Sequence, residues 1–311
     1  MSSEDLRARA ADYVALRCAM TFQPRYYPRL IADFLDYLES QHVATISAHH
    51  AVVWACLPQD ATPRWWSQRL AVIRSFAAHV NAHDPAAADL IPAGLLRARA
   101  QRGVPYLYTP VQLRALIAHA QQLHPIVRGQ TIATIIGLMA ATGMRTGEAL
   151  ALNTTSVNFE RGTILVVGKR GKQRLLPVHT TTMAALASYI DTSRRLVGAP
   201  SDDAFFVSLK GSRPASSSVR DAFRTVATAS SLPVVPGNRA PRLHDLRHTF
   251  AVNTLIDAHR AGVGVQARIA TLATYLGHAS PQNTYWYLSA SPELLQLVND
   301  RIETHWQGNL S

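Results

Sequence analysis

Cysteine is almost missing from this 311-residue chain. Cys18 and Cys56 stand far apart and form no CxxC pair, which argues against a disulfide-built scaffold and fits a reducing compartment. No run of about 18 apolar residues occurs, so no membrane span is expected. Met1–Arg9 is polar and lacks the apolar stretch of a secretory leader, so a cytoplasmic location is expected. There is no Gly-x4-Gly-Lys-Ser/Thr loop to cradle a nucleotide phosphate. No internal repeat or long low-complexity tract is present. Lysine is scarce too, with three lysines against 28 arginines, and acidic residues number 20 against 31 basic ones.

What is present is a large apolar fraction and an excess of positive charge. Hydrophobic residues make up 48% and charged residues 16%, enough for a sizeable core and against global disorder. The net charge is +11, which favours a polyanionic partner, nucleic acid ahead of an anionic membrane. The excess is uneven. Residues 1–105 carry 11 basic and 9 acidic side chains, and residues 106–311 carry 20 and 11. The length suggests two domains.

The first hundred residues read as a bundle of about four helices. In Pro24–Ser40, Leu30, Ile31, Phe34, Leu35 and Leu38 recur at helical spacing. A short helix is expected over Ser47–Leu57. Thr62-Pro63 reads as an N-cap and first helical residue, followed by a stripe of Trp66, Leu70, Ile73 and Phe76 or Ala77. Trp54, Trp65 and Trp66 are expected in core or interface. Arg97–Pro105 is basic, has no apolar stripe, and is read as a linker. Thr109-Pro110 starts a new helix, and another runs from about Arg128 to Ala141. Around 163–178 the period changes to that of a β-hairpin, Thr163–Gly168 and Gln173–Val178, whose tip is Lys169-Arg170-Gly171-Lys172. Helices follow at 181–197 and 216–230, then a proline- and glycine-rich loop over Ser231–Arg242, then helices from 244. The expected class is mainly α with a small antiparallel β-sheet.

Four segments of the second part hold reactive polar residues. In Ala141-Thr-Gly-Met-Arg145-Thr-Gly-Glu148, an arginine stands between two glycines, where backbone can approach a ligand closely, and Glu148 could brace it one turn later. Taken alone, Arg145 reads first as a surface arginine. The hairpin segment 161–174 has five basic residues and no acid, as an ordinary solvated turn can. Yet two of the three lysines, Lys169 and Lys172, lie there, and lysine, unlike arginine, can give up a proton once its pKa is lowered. In His244-Asp-Leu-Arg247-His248, His244 and Arg247 share a helical face. A metal reading of His244 and His248 is disfavoured, because no glutamate follows His244 and Arg247 would set a cation beside the ion. The fourth segment is Leu276-Gly-His278, with Tyr287 nine residues on.

In this order the motifs ATGMRTGE, GKRGK, HDLRH, LGH and a following tyrosine resemble the tyrosine recombinase or phage-integrase family, of the mobile-element type. The resemblance covers the second part, and more weakly the first. It implies a two-domain DNA clamp: a helical core-binding domain over 1–96, a linker over 97–105 and a catalytic domain over 106–311. It also implies roles. Arg145 and Arg247 would clamp the scissile phosphate, Lys169 would lie at the minor groove, His244 and His278 would assist proton transfer and charge stabilisation, and Tyr287 would attack. Glu148 would be structural support.

The chemistry suits these residue types. Phosphoryl transfer spreads charge over the equatorial oxygens, which planar guanidinium forks match. A tyrosine hydroxyl with a pKa of about 10 needs cations or a base nearby. The leaving 5′ oxygen needs a proton, and lysine is a plausible donor. No step calls for a metal or another cofactor. The expected partner is double-stranded DNA with inverted-repeat half-sites, bound by a homotetramer, with or without partner recombinases, and with no membrane. For assembly the chain offers an apolar stripe after Ser291-Pro292-Glu293, formed by Leu294, Leu295, Val298, Ile302 and Trp306, which could pack at home or on a neighbour. Two other readings stay open, a type IB topoisomerase-like enzyme and a DNA-binding protein without catalysis.

Overall fold

The computed structural model describes residues 3–20, 26–96, 104–168, 171–198, 202–233, 240–262, 265–277, 284 and 296. The chain divides into two compact units, Met1–Arg102 and Gly103–Ser311.

The first unit packs four helices, α1 (Ser3–Ala19), α2 (Tyr27–Ser40), α3 (Ala48–Cys56) and α4 (Pro63–His83). Leu30, Ile31, Phe34, Leu35 and Leu38 of α2 are all buried, as their spacing predicts. Ser47 and Thr62 cap α3 and α4 by accepting the His50 and Trp65 amides. Helix α1 is mostly exposed and buries Leu6 and Tyr13, while its Arg7 pairs with Asp36 and Glu39 of α2. Arg69 is buried in α4. Its guanidinium lies 3.8 Å over the Trp54 ring and donates to the Trp54 carbonyl. That cation–π and hydrogen-bonded seat explains an arginine inside an apolar core.

The second unit is built around α6 (Ile126–Thr142), which packs against α5 (Pro110–Gln121), α8 (Thr180–Val197), α9 (Ser216–Ala229) and α10 (Asp245–Arg260). Val127, Ile132, Ile135, Ile136, Leu138 and Met139 are all buried, as befits a helix covered on several sides. Thr109 and Gln112 form the capping box of α5. The hairpin is present as β2 (Thr163–Val167) and β3 (Gln173–Pro177), and β1 (Val157–Asn158) adds an antiparallel edge in the order β1-β2-β3. Ile164, Val166 and Leu176 face the core. Register pairs Val166 with Arg174, so Arg174 stands on the same side of the sheet. Two short pieces were not anticipated from the sequence, β1 and the five-residue helix α7 (Thr146–Leu150). Among the described residues no helix is long and apolar enough to cross a membrane.

Helix α6 stops at Gly143, whose backbone is left-handed at φ 61° and whose N–H caps the Met139 carbonyl. A Cβ there would sit 2.5 Å from Phe250 Cδ1 and 2.9 Å from Leu276 Cδ2. Gly143→Ala therefore combines backbone strain with overpacking and should cost about 2–4 kcal/mol. Thermal unfolding should show it as a drop of roughly 5 °C or more, and an unchanged melt would refute the close packing at this turn.

Candidate active site

Arg145 follows the α6 stop and serves as the extended N-cap residue of α7. Glu148, in the first turn of α7, accepts the Arg145 amide at 2.9 Å and Arg145 Nη1 at 2.7 Å. The same carboxylate accepts Arg174 Nη1 at 3.1 Å and Nη2 at 2.7 Å, a two-pronged pairing from β3. Glu148 is buried. Burial alone would raise its pKa, but the Arg174 fork and the Arg145 amide and guanidinium outweigh it and hold the carboxyl at about 2.

Arg247 lies in the first turn of α10 and is 1% exposed. Its Nη1 donates to the Gly143 carbonyl at 2.8 Å and its Nη2 to the Leu276 carbonyl at 2.7 Å. Leu276 ends α11 (Val265–Leu276). The neighbouring carbonyls are taken by the other two arginines: Arg174 Nε donates to Tyr275 O at 2.9 Å, and Arg145 Nη2 to Gly277 O at 3.3 Å. Three successive carbonyls at one helix end thus accept from three arginines carried by three different segments. A helix leaves its last carbonyls unpaired and its C-terminus partly negative, so cations are drawn there. Gly277 makes the approach possible, since a Cβ on it would lie 3.0 Å from Arg174 Nη1.

His244 occupies the N-cap of α10, with its ring edge-on to His248 at 5.0 Å. One side of it meets solvent. The protein around its ring, then the Arg247 guanidinium, with Arg242 and Arg145 adding and Asp245 opposing, hold its pKa below 6.5. At neutral pH it is uncharged and able to accept a proton. Asp245 fixes this turn, accepting the Arg242 amide and Nη2, each at 2.9 Å. Tyr108, ahead of α5, is pinned to the same helix start: its amide donates to Thr249 Oγ1 and its hydroxyl to the Arg242 carbonyl.

Of the residues expected from the sequence, Arg145, His244 and Arg247 are brought together, with Glu148 bracing Arg145 as anticipated. Lys169, His278, Tyr287 and the stripe from Leu294 to Trp306 lie outside the described residues. Lys172 is exposed beside the hairpin tip, its carbonyl accepting the Gly168 amide. Arg174 was not singled out by sequence reasoning. The available signal was its place two residues before the inward Leu176, which sets it on the buried side of a strand.

Residues 108–293 match the phage integrase family. The chain belongs to that family. It is 32% identical over 308 residues to the integrase/recombinase y4rB of Sinorhizobium fredii, covering 97% of this chain and 98% of that protein. To the tyrosine recombinase XerC of a Roseiflexus species it is 30% identical, covering 71% of this chain and 66% of the other. Its fold is similar to that of the XerH site-specific recombinase solved in a post-cleavage complex with its difH substrate. The TM-score is 0.67 at 17% identity, over 90% of this chain and 79% of XerH. Family membership makes the protein a site-specific tyrosine recombinase, an enzyme that cleaves and rejoins DNA, and favours that reading over a topoisomerase-like or a non-catalytic DNA-binding protein.

The depressed carboxyl of Glu148 ties stability to pH. A carboxyl held at about 2 against an ordinary 4.5 adds stability above pH 4.5 that is lost as pH falls through about 2. Glu148→Gln should lose about 3 kcal/mol at pH 7. The gap to the parent protein should close between pH 4.5 and 2 in unfolding titrations. A gap independent of pH would mean that ionised Glu148 does not hold the arginines.

Proposed function

We propose that Arg145 and Arg247 bind the scissile phosphate of a DNA duplex while Tyr287 attacks the phosphorus. The tyrosyl oxygen forms a bond to phosphorus, the bond to the 5′ oxygen breaks, and the strand is left joined to the protein through its 3′ phosphate. Attack by the freed 5′ hydroxyl of a second strand reverses the step and rejoins DNA without an external energy source. One observation supports this reading above the others: three guanidiniums meet at the end of α11 with, among the described residues, the one carboxylate of Glu148 paired to two of them, leaving a positive cluster suited to a dianionic transition state. His244, uncharged at neutral pH, can take the tyrosine proton or donate a hydrogen bond to a phosphate oxygen. Lys169 protonates the leaving 5′ oxygen, and His278 assists proton transfer and charge stabilisation. The first unit serves as the core-binding domain and the second as the catalytic one. The protein works in the cytoplasm as a tetramer on inverted-repeat half-sites, in the service of a mobile element, and the stripe after Ser291 docks on a neighbouring subunit.

Two experiments test the chemistry. On a nicked suicide duplex, Tyr287→Phe should abolish the covalent protein–DNA adduct and leave non-covalent binding within about threefold. Loss of the adduct in Tyr285→Phe instead would reassign the nucleophile. A substrate with a 5′-bridging sulfur has a leaving group that needs no proton. It should restore most of the cleavage lost in Lys169→Ala, and rescue of Lys172→Ala alone would move the acid to Lys172.

A further inference from the structure

We propose that Arg174 is a positioning residue for strand cleavage, which sets Arg145 through Glu148 and the α11 end that Arg145 rests on, and does not itself touch DNA. The reading rests on Arg145 as a phosphate ligand. All three nitrogens of the Arg174 guanidinium already donate to protein: Nη1 and Nη2 to the two oxygens of Glu148, and Nε to the Tyr275 carbonyl. Its side chain is 15% exposed, against 37% for Arg145. The two arginines share one carboxylate but differ in what they leave over. Arg145 turns one nitrogen to Glu148 and holds the Gly277 carbonyl by a long contact of 3.3 Å, so a phosphate oxygen can compete for it. Arg174 commits three of the five N–H groups of its guanidinium fork at 2.7–3.1 Å, two of them to the carboxylate, whereas Arg247, though more buried, holds neutral carbonyls that an anionic phosphate can displace.

The position of Arg174 makes that fork a joint between three segments. It rises from β3, the strand that follows Lys169 in the sequence. Through Glu148 it reaches the turn that carries Arg145. Through Tyr275 O it holds the last turn of α11, beyond which the chain runs on to His278 and Tyr287. Gly277 leaves room for the guanidinium, and Gly168 presents no side chain to it on the hairpin side. A lysine at 174 would keep the charge but could not span both carboxylate oxygens and a carbonyl together. The joint is therefore specific to the fork geometry. A displacement of about 1 Å in a phosphate ligand is enough to slow a reaction by roughly a hundredfold.

The test uses the full chain and single-turnover cleavage of a nicked half-site duplex. Arg174→Gln should slow adduct formation by about a hundredfold while half-site affinity stays within about threefold. Arg174→Lys should be similarly slow. Because Arg174 acts through Arg145, the double variant Arg145→Ala/Arg174→Gln should cleave within about threefold of Arg145→Ala alone. A scissile methylphosphonate, which lacks one phosphate charge, should shrink the Arg174→Gln and Arg145→Ala penalties together. If Arg174→Gln does not fold by circular dichroism, the same cycle is run with Arg174→Lys. Multiplying penalties in the double variant, parental cleavage by Arg174→Gln and Arg174→Lys, or a loss of affinity as large as the loss of rate would each overturn the proposal. Parental cleavage by Arg145→Ala would overturn the phosphate-clamp reading and this one with it, whereas a full Arg145→Ala defect with multiplying penalties overturns this one alone.

Discussion

A carboxylate with little access to water sits between two guanidiniums in the second unit, and the arrangement of the site follows from that pairing. An ionised carboxylate is costly to bury unless its lone pairs are filled, and Glu148 has four donors from Arg145 and Arg174. In return it fixes both side chains and offsets part of the repulsion among the three arginines. Without it, Arg145, Arg174 and Arg247 would be like charges gathered with no counterion among them. With it, the cluster keeps a positive remainder and a fixed shape.

The end of α11 supplies the rest of the framework. Its last carbonyls would ordinarily look to water or to a glycine cap. Here Tyr275, Leu276 and Gly277 accept from Arg174, Arg247 and Arg145. Arg247 also holds the Gly143 carbonyl, where α6 stops. Two helix ends, one short helix and one strand are thereby fastened by three arginines, two of which, Arg145 and Arg247, are also the proposed phosphate ligands. The ligands are held in place ahead of substrate, which is how an enzyme avoids reorganisation during phosphoryl transfer. The glycines at 143 and 277 serve the same purpose, since side chains there would collide with Phe250 and Leu276 or with Arg174.

The first unit uses its charged groups differently. Arg7 is spent on Asp36 and Glu39, and Arg69 on the Trp54 ring and carbonyl. These contacts tie α1 to α2 and α4 to α3. Most of the chain's positive excess belongs to the second unit, where arginines from distant segments converge on one helix end.

Sequence alone determined those parts that depend on near neighbours. Ser47, Thr62 and Thr109 cap the helices that follow them, because a cap and its amide are three residues apart. The stripe of α2 and the two strands of the hairpin were legible for the same reason, as periodicities of 3.6 and 2. Helix α1 left only Leu6 and Tyr13 as a trace of its buried face, and α7 and β1 are too short to show a period. Arg145, His244 and Arg247 were legible as residue types at family-like spacing, and Glu148 as a brace one turn from Arg145. Tertiary structure decided how they meet. Arg174 looked like one more cation of a solvated turn until strand register put it opposite Val166, facing Glu148 and α11. The bonds that join the arginines to Gly143, Tyr275, Leu276 and Gly277 span 29 to 132 residues and end on backbone carbonyls. Every residue has a carbonyl, so such an acceptor leaves no mark in the sequence, and only the packing of α6, α10, α11 and the hairpin selects which ones are used.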